Sequence, residues 1–232
     1  MALNKTKGYP FNRPFYKVDT NVQWSAGQVA FLVRSGGENV VTTAASGTVP
    51  IGTFWKDHEL TYRRSTVESG TFDSNDQIQL KHANVRGTSY IKVTDSSGTE
   101  YTHGTDYTLN TNNGIVGRVG GGSISASESV IIWYEYTIPA DEIGYSGGTN
   151  YTQSADDTTG SNRCAIVEGF AHIWTDQYDV TQTYTLSAAL RPDANSKWTS
   201  ATNSYPVCGR VISVPTVSDP WLGVAQIAVA SV

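Results

Sequence analysis

The chain has 232 residues, 16 Lys and Arg against 21 Asp and Glu, a formal net charge of −5 and a sequence pI of about 5.3. Its charged share of 16% is well below the roughly 25% of an average globular protein, so Thr, Ser, Asn, Gln and Gly must supply the polar surface. Lys and Arg are scattered, with Arg63-Arg64 their only adjacent pair, which argues against a nucleic-acid partner; no apolar run reaches the roughly 18 residues of a membrane helix, which argues against a membrane.

The opening "MALNKTKGYPFNRPFYKVD" has no apolar core of a secretory signal, so synthesis in a cytoplasm is expected. Beyond it, helical periodicity is hard to find. Val, Thr, Tyr and Ile are abundant, and short runs of them alternate with Gly/Asn/Asp/Ser turns, the pattern of an all-β sandwich or barrel. In the first stretch, residues 28–33 ("QVAFLV") and 39–44 ("NVVTTA") are expected strands around a hairpin loop. "TVPIGTFW" follows as another strand, with Pro50 marking an edge or a strand start.

The middle stretch, residues 77–140, contains "SGTEYTHGTDYTLNTNNGIVGRVGGGS". Its glycines and asparagines read as turns in a small β-module. Strands are expected at 90–94, 100–102, 106–109 and 115–119, with Gly114 suited to positive φ. Residues 129–137 form the clearest strand. Val130, Ile132, Tyr134 and Tyr136 alternate with Ile131, Trp133 and Glu135, so one face suits the module's own core and the other a neighbouring domain or subunit. Residues 139–162 form a long polar loop, the best linker in the chain.

The third stretch holds "CAIVEGFAHIWT", "TYTLSAALRPD", "CGRVISVP" and "WLGVAQIAVASV". Here an echo appears: "GQVAFLV…VPIGTFW" (27–55) and "GRVISVP…PWLGVAQI" (209–227) share Gly-polar-Val, a strand, a turn and an apolar-Gly-apolar strand. The echo fits two chain ends that contribute related strands to one barrel, 21–76 and 141–232, with the middle module inserted or simply consecutive.

Side chains able to do chemistry receive ordinary structural readings. "GYSGG" around Ser146 has the pattern of a nucleophile elbow, but no helix follows it, and a Gly-rich turn is expected. His58, His82, His103 and His172 include no i, i+4 metal pair; His103 suits a turn and His172 a part-buried strand position. "FDSNDQ" places Asp73 and Asp76 where a calcium loop or an Asx-turn would fit, and the Asx-turn is expected. Asp156 and Asp157 read as a solvated loop. Cys164 and Cys208 lie in apolar stretches, so buried free thiols are expected, with a bridge between them as the alternative. No catalytic, metal or cofactor site is expected. Tyr and Trp are numerous enough to stack on sugar rings, though core filling accounts for most of them.

"WSAGQVAFLV…GENVVTTAASGTVPIGTFW" resembles the decoration (cement) proteins on the heads of tailed bacteriophages, and "CGRVISVP…DPWLGVAQI" looks like the matching C-terminal element. The middle stretch, "GTDYTLN…GIVGRV…GGSI…ESVIIWYEY", is similar to a small Ig-like domain recurrent in phage structural proteins. The resemblance implies a non-enzymatic virion protein. It would bind the major capsid protein on the outer surface of the assembled capsid as a trimer or dimer, with no cofactor. It also implies an extended N-terminal arm, residues 1–20, in which Pro10 and Pro14 disfavour helix and Tyr9, Phe11, Phe15 and Tyr16 offer anchors to a partner. A tail or fibre component and a carbohydrate-binding module for host-surface recognition are the alternatives.

Overall fold

Runs rich in β-branched and aromatic residues fit a pleated, half-buried surface, and the fold is all-β. The computed structural model describes residues 3–7, 15–17, 24–35, 38–43, 49–54, 61–139 and 163–227. Its strands are β1 (Leu3–Lys7), β2 (Phe15–Lys17), β3 (Val29–Ser35), β4 (Glu38–Thr42), β5 (Val49–Phe54), β6 (Thr61–Thr71), β7 (Gln77–Gln79), β8 (Ile91–Thr94) and β9 (Glu100–Tyr101). They continue with β10 (Tyr107–Asn110), β11 (Ile115–Arg118), β12 (Ser129–Pro139), β13 (Arg163–Glu168), β14 (Ala171–Thr175), β15 (Ala189–Pro192), β16 (Trp198–Thr199), β17 (Gly209–Ser213) and β18 (Leu222–Gln226).

Two sheets draw on both ends of the chain. The first runs β2-β13-β5-β3-β4 and the second β1-β14-β18-β17-β15-β16, with antiparallel pairing throughout. Val29, Phe31 and Val167 from the first sheet share one core with Ile173, Leu190, Val211, Leu222 and Val224 from the second. The other face of the first sheet is also buried: Ala30, Val41, Phe54 and Ile166 pack with Trp24, whose indole stacks on Phe54 at 4.9 Å.

The two echoing segments fall in different sheets: 27–55 holds β3, β4 and β5, with β5 on the edge of β3 opposite β4, and 209–227 is the two-strand hairpin β17–β18. Val29 pairs with Thr53, one residue past Gly52, and Val211 pairs with Val224, one residue past Gly223. The β3–β5 pairing shifts register after Ala30↔Gly52, and the β17–β18 pairing shifts between Val211 and Ser213. Both glycines are fixed by crowding: a Cβ on Gly52 would stand 2.3 Å from the Val167 carbonyl oxygen, and one on Gly223 would stand 2.6 Å from Ser213 Cβ.

Buried Gln226 joins the sheets. Its amide donates to the Val167 and Gly169 carbonyls at 2.9 and 3.0 Å, and its Oε1 accepts from the Thr53 hydroxyl at 2.5 Å. Gly169, at φ +77°, turns the chain between β13 and β14, so the apolar run "CAIVEGFAHIWT" divides between the two sheets. Ala171 and Ile173 face the same core as Val167, and the even positions of β14 face outward, so His172 is exposed rather than part-buried.

The middle module joins the sheet β6-β12-β8-β9 to the sheet β10-β11-β7 around Val93, Tyr107, Val116, Val130, Ile132 and Tyr134. Its pairing begins at Thr61 rather than at residue 77, because β6 lies beside β12 from Thr61↔Pro139 to Thr71↔Ser129. Within the glycine-rich stretch, Gly114 (φ +66°) is indispensable, since a Cβ there would stand 2.4 Å from the His82 carbonyl oxygen. Asp106 closes the loops by accepting the Thr102 and Ser123 N–H groups, both at 2.7 Å.

Three hairpin turns share one device. Asp73, Asp95 and Asp193 each accept with Oδ1 the backbone N–H groups two and four residues later, at 2.7–2.9 Å. The residue three positions on is left-handed: Asp76 at φ 59°, Gly98 at 92° and Ser196 at 62°. "FDSNDQ" is therefore an Asx-turn hairpin. The backbone hydrogen bonds hold the Asp73 carboxyl below the usual range, and the Ser97 hydroxyl, followed by the Thr99 N–H, does the same for Asp95. Burial raises that of Asp193.

Gln226→Ala should cost about 2–4 kcal/mol in urea unfolding, because it strands one hydroxyl and two carbonyls in the core. Gln226→Glu should also destabilise, since a carboxylate cannot donate to either carbonyl.

Candidate functional site

The densest polar chemistry among the described residues lies where the middle module meets the two-sheet body. The alternation of β12 sends Val130, Ile132 and Tyr134 into the module's core and turns Trp133 and Glu135 the other way. Register brings Val67 and Ser65 of β6 and Lys92 of β8 beside that second face. Trp133 packs on the core of the two-sheet body, and Lys92 Nζ sits 5.2 Å from its ring centre. The neighbouring-domain face expected from the sequence is present at Trp133, while Ile131 is partly buried.

Glu135, 2% exposed, is the hub. Its Oε1 receives Arg86 at 2.8 Å and its Oε2 receives Lys197, itself 2% exposed, at 2.5 Å. Lys197 Nζ also reaches Ser65 Oγ at 3.2 Å, and that hydroxyl donates to the Tyr178 carbonyl at 2.9 Å. Beside this chain, Arg64 pairs with Asp176 at 3.1 Å, the Ser65 N–H donates to the Asp176 carbonyl at 3.0 Å, and Lys92 Nζ donates to the Gln182 carbonyl at 2.8 Å. Lys92 is held below the ordinary lysine range, chiefly by burial. Three of the module's strands thus grip the 176–197 region of the body through charges whose partners are already in place. The arrangement fixes the module's orientation, and its cations and carboxylates are committed to one another.

Next to the seam, His82 stacks on Tyr136 at 3.8 Å with the rings 3° apart. Burial lowers the His82 pKa, and Glu68 opposes that shift. Burial also pushes the Tyr136 phenol up to about 12, aided by Asp176. The Tyr134 hydroxyl donates to Glu68 at 2.7 Å within the module core.

The remaining residues singled out in the sequence are dispersed. Tyr9 and Phe11 lie outside the described residues. Phe15 and Tyr16 lie on β2, opposite Ala165 and Cys164 of this same chain. His58, Ser146, Asp156 and Asp157 also fall outside the described residues. His103 is an exposed turn residue edge-on to Tyr107 at 5.4 Å, and Asp76 pairs with Arg118 at 2.9 Å. Cys208 is buried and free, so it makes no bridge to Cys164, and burial pushes its thiol up to about 12. Among the described residues no group of three or more His, Cys, Asp and Glu could hold a metal ion. No protein-family model, curated protein or solved structure matches this chain.

Sequence reading missed most of the seam because its members are distant. Arg64 belongs to the one adjacent basic pair, and Glu135 interrupts an apolar strand, but nothing local pairs either with Asp176 or Lys197.

Glu135→Gln should destabilise the protein by about 3–5 kcal/mol in denaturant titration, because it leaves Lys197 charged and buried. Lys197→Met should cost less, because Arg86 still answers Glu135.

His82 gives a second test. Its lowered folded pKa means the unfolded chain binds more protons near and below pH 6.5, so stability rises with pH through that window and falls as pH drops. In thermal unfolding between pH 5 and 7, His82→Phe should flatten the dependence while keeping a ring against Tyr136.

Proposed function

We propose that this protein is a structural component of a tailed-phage virion that binds the outside of the assembled capsid and reinforces it. The observation supporting this reading is that the two decoration-like segments, 27–55 and 209–227, place antiparallel strand pairs in the two sheets that share one core despite their separation in sequence. A fold that builds one body from both chain ends, with a module held on it by buried charge, suits a part that transmits load rather than one that closes over a substrate. Reinforcement then rests on avidity: modest contacts by each copy, as a trimer or dimer of this chain, sum over many equivalent positions of the major capsid protein. The net charge of −5 suits a solvent-facing position better than one against packaged DNA.

Co-sedimentation of the full chain with undecorated capsids of the matching phage tests the reading. Saturable binding at a fixed ratio to shell subunits, with a rise in the temperature at which the capsids disrupt, is the expected result. Failure to bind those capsids overturns it, and retention by tail complexes or a glycan array would then select between the two alternatives.

A further inference from the structure

The segment that leaves β7 for β8 crosses the module as an irregular strap, residues 80–86. On one side it pairs with the turn between β10 and β11. The Leu80 N–H donates to the Gly114 carbonyl at 2.8 Å, and the Asn84 and Val85 N–H groups donate to the Asn112 and Thr111 carbonyls at 3.3 and 2.8 Å. On the other side it pairs with the end of β12. The Thr137 N–H donates to the Asn84 carbonyl at 3.0 Å, the Arg86 N–H donates to the Glu135 carbonyl at 2.8 Å, and Val85 bridges Tyr136. Lys81, Ala83 and Asn84 are exposed, and a segment with so much of its backbone at the surface opens at lower cost than the sheets it joins.

Two side chains fasten the strap. Half-buried His82 lies flat on Tyr136, with ring centres 3.8 Å apart. Arg86 donates to Glu135 Oε1 at 2.8 Å and lies 4.0 Å over the Tyr90 ring. Glu135 is the carboxylate that also holds Lys197 of the body, so the strap supplies one of the two cations at the hub of the seam. Tyr136 stands opposite Arg64 in the β6–β12 register, and Arg64 pairs with Asp176 of the body. Each fastener therefore ends on a residue next to, or part of, the contacts that hold the module on the body.

An imidazolium is poorly served in this position. Burial disfavours it first. Glu68 of β6 attracts it, but Glu68 Oε1 already accepts the Tyr134 hydroxyl at 2.7 Å and the Lys81 N–H at 3.1 Å. Lys81, on the strap itself, repels it. The β12 residues beside it are the phenols of Tyr134 and Tyr136, and the facing turn, "NTNNG", has no ionisable side chain. The closed strap thus binds a proton less readily than the open one, so acid favours opening. We infer that residues 80–86 form a proton-sensitive strap: protonation of His82 lifts it from Tyr136, carries Arg86 away from Glu135 and loosens the module on the body. The device works the same way whatever the body binds.

Hydrogen exchange of the full chain, read by mass spectrometry at about pH 7.5 and pH 5 and corrected for intrinsic rates, tests this. An imidazole of ordinary pKa near 6.5 caps the effect at about thirtyfold at pH 5, and a loss of strap protection of at least about threefold is expected. Peptides from 176–197 should lose protection with the strap, while β17 and β18 keep theirs. His82→Phe, which keeps the ring and loses the proton, should hold the strap closed at both pH values. His82→Arg, a permanent cation, should open it at both. In Arg86→Gln the strap should still open in acid, but the 176–197 peptides should no longer follow. Strap protection that is equal at the two pH values overturns the inference, as does acid opening that persists in His82→Phe. Opening without any response at 176–197 overturns the link to the seam. The His82 ring protons give a check that needs no variant: a nuclear magnetic resonance titration at or above the ordinary histidine value also overturns it.

Discussion

Glu135 is buried between two cations that come from different parts of the fold, Arg86 from the module and Lys197 from the two-sheet body. Removing three charges from water costs several kcal/mol per ion, and only close, well-bonded geometry repays it. That geometry exists in one relative placement of module and body. If the module rotates away, a carboxylate and an ammonium are left in a low-dielectric seam without each other. The seam therefore specifies orientation more than it adds stability, and the Arg64–Asp176 pair and the Lys92 contact with Gln182 enforce the same placement nearby. Trp133 supplies the apolar contact that charges alone would not.

The body that receives the module is itself closed by a polar group. The two sheets share apolar side chains, which fix their distance but tolerate sliding. Gln226 removes that freedom, because its donors meet carbonyls of β13 and the turn after it, and its acceptor meets Thr53 of β5. Gly52 and Gly223 act alongside it by exclusion, since a side chain at either position would push a neighbouring strand away. Hydrogen bonding and close approach thus decide register where hydrophobicity decides only which face is inside.

This division explains what could be read in the sequence. Alternation and turn chemistry are local, so the all-β class, the strand expected at 129–137 and found at Ser129–Pro139, the strands expected at 90–94 and 100–102 and found paired as β8 and β9, and the positive φ of Gly114 were all legible. β6 was not, although it has the longest pairing partner in β12: "TYRRSTVESGT" carries Arg64 and Glu68 at buried positions, and a period-2 reading takes buried charge for solvent exposure. His172 was misplaced for a related reason. Val167, Ala171 and Ile173 keep one parity toward the shared core, so the even positions meet a buried layer at Ile166 in the first sheet and solvent at His172 in the second, a difference that an apolar run does not signal. The seam was legible only in half, as a face on β12 with something to meet. Its partners, Asp176 and Lys197, stand in segments that register brings near only after both sheets have formed.

Long-range pairing also sorts the charges. The module commits Arg64, Arg86, Lys92 and Arg118 to partners along its seam and turns. Lys197 of the two-sheet body is drawn into the same seam. The charged side chains of the module thus find partners through contacts that only the assembled fold supplies, and the register of the seam decides which of them meet.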